Sequence, residues 1–419
     1  MEYRMNGWSV LGFGCMRFPG RRGHADMEAT RALLAYALDH GINYFDTAYI
    51  YPGNEKVLGK LMAENGWRDR MVIASKLPHY LFRDIDTLEK LFEEQLDRLQ
   101  TDYIDNYLMH MLPDALIWEK LVRMGVPDWI RQKKESGQIR RIGFSYHGNT
   151  ENFIRLIDAY PWDFCQVQYN YMDEGSQAGR KGVEYAASKG IPVIIMEPLR
   201  GGRLADGLPK EALRIFRDYD SVHGSGPDGR GGDRCDDKSA GEDRKGGTSP
   251  ARRSPAEWGL RWLWDQESVA VILSGMNTME MLAENVRIAD EARPGMLSPG
   301  ERQTYEAVKA AIRAGTRVPC TGCGYCQPCP KGVDIPGAFK AYNDCAGDGY
   351  FTGMREYLMC TTFRAEPANA SRCVSCGQCE QHCPQHIAIR RELKEVTRHM
   401  ESPVYCIIAW GSRFIFKKK

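Results

Sequence analysis

This sequence lacks a GxGxxG turn set between a strand and a helix, so a Rossmann-type dinucleotide unit is not indicated. It also lacks an excess of charge. Its 56 Lys and Arg stand against 55 Asp and Glu, a net charge of +1. That balance leaves no electrostatic footprint for nucleic acid or for an acidic membrane. No basic-then-apolar leader opens the chain, and no apolar run is long enough to cross a bilayer. A cytoplasmic protein is expected. Cysteine, by contrast, is plentiful, with 14 in 419 residues. Disulfides are rare in that compartment, so the thiols need another use. Cys15, Cys165, Cys235, Cys345, Cys360 and Cys406 are scattered, and the remaining eight form two tight groups after residue 319.

The stretch 41–60, GINYFDTAYIYPGNEKVLGK, organises the first three hundred residues. Ile42, Tyr44 and Phe45 read as the end of a buried strand that delivers Asp46. A short loop carries Tyr51, and Asn54-Glu55 opens a helix through Val57, Leu58 and Leu61. Lys76 follows the apolar run 71–74, and His110 ends the strand pattern over 103–109. Similar units recur down the chain. Asp26 caps a helix over 27–40, a leucine-rich stripe marks a helix over 87–99, and strands are expected at 139–144, 164–168, 191–196 and 269–273. Helices are expected at 129–137, 153–159, 183–189, 258–264 and 278–292, the last capped by Asn277. Strand–helix alternation repeated about eight times argues for a parallel sheet closed into a (β/α)8 TIM barrel, a fold of ~250 residues whose chemistry sits at the carboxyl ends of its strands. Asp46, Tyr51, Lys76 and His110 would then converge on one mouth.

These segments resemble the aldo/keto reductase family: LGFGCMRFP (11–19), NYFDTAYIYPGNEKVLGK (43–60), the lysine of IASK, DYIDNYLMH (102–110), RRIGFSYHG (140–148) and VILSGMNTMEMLAEN (271–285). The resemblance implies NAD(P)H-dependent reduction of an aldehyde or ketone, or the reverse alcohol oxidation, on a small-molecule substrate. It places the family's tetrad on Asp46, Tyr51, Lys76 and His110. A tyrosine with an ordinary pKa near ~10 is a poor acid at neutral pH unless an ammonium stabilises its phenolate. Lys76, paired with Asp46, would do that, Tyr51 would supply the proton, and His110 would orient the carbonyl. The resemblance further puts the nicotinamide-amide ligands on Ser145 and Gln166, with Tyr146 where asparagine is common. The adenine-side pair falls on Glu284 and Asn285. Met196 stands where an aromatic ring usually stacks, and Met281 where an arginine usually meets the adenosine phosphate, so NADH versus NADPH stays open. Arg17 reads as a residue of the pocket mouth or of the surface. Gly201-Gly202 reads as a phosphate approach or a plain turn.

The barrel is expected over 1–300, interrupted at 220–254 by a stretch rich in glycine and charge that cannot bury enough surface to offset chain entropy and should be disordered. A linker helix is expected over 301–319, a cluster-binding domain over 320–400 and an apolar-then-basic tail over 401–419. Cys320, Cys323, Cys326 and Cys329 form CxxCxxCxxCP, and Cys373, Cys376, Cys379 and Cys383 form CxxCxxCxxxCP. The second is the bacterial ferredoxin spacing, in which three thiolates hold one cluster and the cysteine before proline reaches the other. Two [4Fe–4S] clusters follow: one on Cys320, Cys323, Cys326 and Cys383, the other on Cys373, Cys376, Cys379 and Cys329. Zinc is the competing metal, but it favours two pairs of ligands over two triplets. Helix-like patterns at 335–345 and 350–361 between the groups make the domain similar to the mainly α-helical dicluster ferredoxin modules. Together the halves resemble aldo/keto reductases that carry a C-terminal ferredoxin-type domain.

A nicotinamide delivers two electrons as hydride, whereas a [4Fe–4S] cluster takes one at a time. If the halves exchange electrons, a carrier such as a flavin stands between them. Otherwise the clusters serve an external redox protein or are structural. Two other classes compete with the enzyme: a slow cofactor-binding redox sensor or electron-relay module, and a zinc-stabilised binding protein.

Overall fold

The computed structural model describes residues 1–21, 24–223, 252–347, 349–383 and 385–416. Eight strands close into a parallel barrel: β1 (Leu11–Gly14), β2 (Tyr44–Asp46), β3 (Val72–Pro78), β4 (Ile104–His110), β5 (Ile139–Tyr146), β6 (Phe164–Gln168), β7 (Val193–Met196) and β8 (Val269–Ser274). Each strand pairs with the next in the chain, and β8 returns to β1 through Ser274 opposite Phe13. Almost every strand residue is buried, as expected of strands covered by helices outside and side chains inside.

A hairpin of Tyr3–Arg4 and Trp8–Ser9 precedes the barrel. Trp8 closes the amino-terminal end of the barrel interior, edge-on to Tyr44 and Phe164 at 5.4 and 5.9 Å between centroids. With Ala74, Leu108, Ile194, Val271 and Leu273 these rings fill the barrel centre. Gly12 is required there, since a Cβ would lie 2.8 Å from Leu273 and 2.9 Å from Val271. The outer core between strands and helices is larger and includes Trp118, Trp129, Trp162, Trp258 and Trp264.

Several local expectations are corrected. Thr278 rather than Asn277 caps the last barrel helix, Met279–Asp290, with its side chain accepting from Met281 N. Three longer helices, Ala115–Met124, Lys210–His223 and Pro403–Phe416, are not among those expected from the sequence; the first is capped by Asp114. The helix Pro299–Arg313 lies on the barrel, where Tyr305 is buried and donates to Trp258 O at 2.6 Å.

Residues 220–223 and 252–254, expected to belong to a disordered insertion over 220–254, are among the described residues, 220–223 as helix and Ser254 as a helix cap. Asp220 belongs to the helix Lys210–His223, and its buried carboxylate pairs with buried Arg253 at 2.6 Å. Arg253 also pairs with Glu301 and stacks 3.9 Å from the Trp258 ring centroid. Residues 224–251 lie outside the described residues. Removing one partner of such a pair strands the other charge, so Asp220→Ala should lower stability by about 3–5 kcal/mol in urea unfolding. A loss under about 1 kcal/mol would show that the clamp carries no weight.

After residue 314 the described residues hold helices and turns but no strand. The helices Ile335–Gly347, Tyr350–Tyr357 and Ile389–Met400 enclose a separate apolar core of Val318, Phe339, Tyr357, Leu393, Val396 and Met400. A final helix, Pro403–Phe416, exposes Val404 and Ile407. No helix among the described residues is long and apolar enough to cross a membrane.

Candidate active site

Asp46 is the last residue of β2 and His110 the last of β4. Lys76 does not end its strand, because β3 continues through Leu77 to Pro78. The apolar run stops at Ala74 because Ser75 and Lys76 turn to buried polar partners. Lys76 Nζ donates to Asp46 Oδ1 at 2.5 Å and to Thr47 O at 2.7 Å. It lies 5.1 Å from the centroid of the Tyr51 ring. The Tyr51 and His110 rings meet edge-on at 6.2 Å. All four side chains therefore share one small volume at the carboxyl end of the barrel.

Their positions are held from behind. Tyr51 N donates to Ala48 O, and Asn54 N donates to Tyr51 O, which fixes the turn. Asn54 Nδ2 donates to Cys15 O at 2.7 Å, tying the turn to the end of β1. Glu55 is buried and accepts from Ser75 Oγ and Gln95 Nε2, both at 2.6 Å, and from Arg98 at 3.2 Å. This network staples the helix Asn54–Asn65 to β3 beside Lys76. Local pattern did not reveal it, because Gln95 and Arg98 lie on another helix.

Burial dominates the electrostatics. It pushes the Asp46 carboxyl up, against the pull of Lys76. For Lys76 burial acts downward, but Asp46 and Tyr51 outweigh it and hold the ammonium above its ordinary pKa. Burial also pushes Tyr51 up, and Lys76 only tempers the rise. The pull of Lys76 on the phenol has the expected direction, and burial outweighs it. Tyr51 is a fully protonated donor at neutral pH in this form. Burial, with Lys76, His147 and His79 adding to it, lowers His110 far below its usual value, so its imidazole is neutral.

Ser145 and Gln166 stand opposite each other on β5 and β6. Both are buried, and Gln166 Oε1 has no protein partner. Ser145 Oγ accepts from Met111 N at 2.9 Å and keeps its own proton to donate. An orphaned acceptor beside a free hydroxyl donor fits a carboxamide, which offers both. Asn285 is buried and donates to Ser274 Oγ at 2.9 Å; Glu284 beside it is half-buried. Tyr146 is turned into the outer core against Phe144 and Phe153, with its hydroxyl on Asn149 O. Met196 is half-buried at the end of β7, and Met281 is exposed.

The clustered cysteines fall into two groups in space. Cys320, Cys323, Cys326 and Cys383 line one cleft. Cys329, Cys373, Cys376 and Cys379 line a cavity of about 330 Å³, with Cys326 at the boundary between the two. Burial pushes the Cys320 thiol up to about 11, and the Cys323 and Cys383 thiols add to the rise. Four thiols around a cavity suit a cluster better than one zinc ion. Cys345 and Cys360 lie apart, against Met400 Sδ and Glu356.

The profile described as the aldo/keto reductase family matches residues 10–293. The chain belongs to the aldo/keto reductase family. A second profile, the 4Fe-4S dicluster domain, matches residues 319–388, the span that holds all eight clustered cysteines. The chain is 29% identical over 207 residues to "Aldo-keto reductase yakc [NADP(+)]" of Schizosaccharomyces pombe, covering 46% of this chain and 59% of that protein. It is 25% identical over 313 residues to L-galactose dehydrogenase of Arabidopsis thaliana, covering 73% and 90%. An aldo-keto reductase from Klebsiella pneumoniae in complex with NADPH shares the fold, with a TM-score of 0.53, 24% identity and coverage of 72% and 90%.

In this chain the helical C-terminal part sits over the barrel mouth. Arg355 pairs with Glu197, just beyond β7, at 2.7 Å. Glu356 accepts from Gln177 at 2.8 Å and pairs with Lys340 at 3.1 Å. Lys340 and His147, with hydrogen bonds from Cys360 and Gln177, outweigh burial and bring the Glu356 pKa down to about 2. Gly175, in the loop after β6, packs backbone to backbone on Gly322, where a Cβ would come within 2.5 Å of Gly322 O. Arg355, Glu197 and His147 are residues of this mouth that sequence reasoning missed. Contacts 158 residues apart carry no local signal.

Proposed function

We propose that this protein is an NAD(P)H-dependent oxidoreductase that reduces the carbonyl of a small molecule, or oxidises the corresponding alcohol, and that its C-terminal domain carries two [4Fe–4S] clusters. The observation that carries the reading is the convergence of Lys76, Asp46, Tyr51 and His110 at one barrel mouth. Relatives named L-glyceraldehyde 3-phosphate reductase and 6-dehydroglucose reductase favour a small sugar-like substrate.

The nicotinamide, when bound, supplies the hydride. Ser145 and Gln166 would orient its carboxamide, and Glu284 and Asn285 would hold its adenine side. The neutral His110 imidazole donates a hydrogen bond to the substrate carbonyl oxygen. Tyr51 transfers its phenolic proton to that oxygen as it gains charge. The phenolate that remains faces Lys76 Nζ, whose ammonium is kept charged by Asp46. Because burial raises the Tyr51 pKa, this counter-charge is required at the moment of transfer rather than before it.

Cys320, Cys323, Cys326 and Cys383 would hold one cluster, and Cys329, Cys373, Cys376 and Cys379 the other. The clusters serve a one-electron redox protein outside the chain or a flavin-like carrier at the mouth. The proposed division is a barrel over 1–300 and a cluster domain over 320–400. Protein purified without oxygen should be brown and should oxidise NADPH or NADH when given a small aldehyde. Absence of aldehyde-dependent oxidation with both nucleotides would refute the reading.

A further inference from the structure

We propose that the helix Pro403–Phe416 docks this protein on an anionic lipid surface, its outward apolar stripe entering the bilayer interface and the basic residues of 413–419 meeting the headgroups. The inference does not depend on the carbonyl-reduction reading above.

One side of the helix is fastened to the cluster domain. Tyr405 is buried in the same core as Tyr357 and Met400, and its ring lies 5.6 Å from that of Tyr357. Its hydroxyl shares a hydrogen bond with Thr362 Oγ1 at 2.9 Å. Ala409 packs on this core and Ser412 is buried. Tyr405, Ala409 and Ser412 are four and three residues apart, so they form one stripe. The opposite side is apolar as well, and it is open. Val404 is 66% exposed, Ile407 70%, Ile408 39% and Trp410 62%. Positions 404, 407 and 408 share a face. A helix that is apolar all round is normally buried on every side, and this one is covered along one side only.

The charge on this segment selects the partner. From Pro403 to Lys419 the sequence carries Arg413, Lys417, Lys418 and Lys419 and no Asp or Glu. The net charge of +1 for the whole chain averages this excess away. Adhesion to a membrane surface takes two signals, and an apolar stripe joined to a basic run supplies both. Indole rings such as that of Trp410 settle at headgroup level. A helix of 14 residues is about 21 Å long, short of the ~30 Å hydrocarbon layer, so it would lie on the bilayer rather than span it. A protein partner would have to cover about 800 Å² on this side. One face of a helix about 21 Å long and about 10 Å wide offers well under half of that.

The test is co-sedimentation of the full, cluster-loaded chain, kept free of oxygen, with two kinds of vesicle. One is phosphatidylcholine alone, and in the other about a third of the lipid is phosphatidylglycerol. Binding to the anionic vesicles should be at least about 10-fold stronger, and added salt should remove most of that preference. Lys417→Gln, Lys418→Gln and Lys419→Gln together should lower the anionic partition coefficient by about 10- to 100-fold. Val404→Ser with Ile407→Ser should lower it by about 10-fold or more. Both variants should keep the iron content and thermal midpoint of wild type. If the serine pair lowers the midpoint, the lysine variant, which lies beyond the described residues, decides alone. Binding that ignores lipid charge, or that survives both sets of changes, would overturn the proposal. Absence of binding would overturn it too, and a dimer dissociated by the serine pair would assign the face to a second copy of the chain instead.

Discussion

Tyr51→Phe is expected to lower carbonyl turnover by about 100- to 10,000-fold, the range over which a positioned proton donor contributes. The substitution removes one hydroxyl and leaves the ring edge-on to His110 and near Lys76. The backbone bonds that hold the turn, Tyr51 N to Ala48 O and Asn54 N to Tyr51 O, involve no side-chain atom of residue 51. Nicotinamide affinity should therefore stay within about two-fold of wild type, since no cofactor contact is removed. The paired measurement is steady-state reduction of a small aldehyde together with nucleotide binding. Loss of both binding and turnover would point to collapse of the pocket. Unchanged turnover would remove Tyr51 from the chemistry.

Paired cysteine substitutions should split by space rather than by sequence. With two [4Fe–4S] clusters the intact protein holds about eight irons per chain. The double change Cys320→Ser with Cys383→Ser touches one spatial group and should leave about four irons. Cys320→Ser with Cys329→Ser touches both groups, and should strip nearly all the iron if one lost thiolate is enough to release a cluster. If each run of four cysteines held its own cluster, the two outcomes would be exchanged. Iron and acid-labile sulfide assays on protein prepared without oxygen decide between them. Zinc in place of iron in the intact protein would contradict both outcomes.

Much of this was legible because the signals are local. The cysteine spacing lies within short segments, and the carboxyl ends of β2 and β4 can be read from apolar runs that stop at Asp46 and His110. Lys76 was found for a partly mistaken reason. The apolar run ended, but the strand did not, because buried polar contacts to Glu55 and Asp46 replace apolar packing at Ser75 and Lys76. The helix Lys210–His223 escaped because its core-facing positions are few: among its residues only Ala212, Phe216 and Asp220 are buried. Asp220 was assigned to a polar insertion since its partner, Arg253, lies 33 residues away.

The covering of the mouth was out of reach for the same reason. Arg355 on Glu197, Gln177 on Glu356 and Gly175 on Gly322 join segments about 150 residues or more apart. None of these residues has a pattern that marks it as an interface. The sequence places Lys76 where it stabilises the Tyr51 phenolate, but it does not show how deeply the pair is buried. Burial, the larger of the opposing effects at Tyr51, is a property of the assembled mouth.

The most direct test follows the hydride. Protein free of oxygen would be given nicotinamide cofactor deuterated on the transferred face at C4 and an unlabelled aldehyde, and the alcohol product examined by mass spectrometry. Deuterium on the carbinol carbon, lost together with turnover in Tyr51→Phe, is the predicted result. Alcohol formed without deuterium while the cofactor is consumed would mean that the electrons reach the substrate by another route, and would contradict the assignment of Tyr51, Lys76, His110 and Asp46 as a direct reduction site.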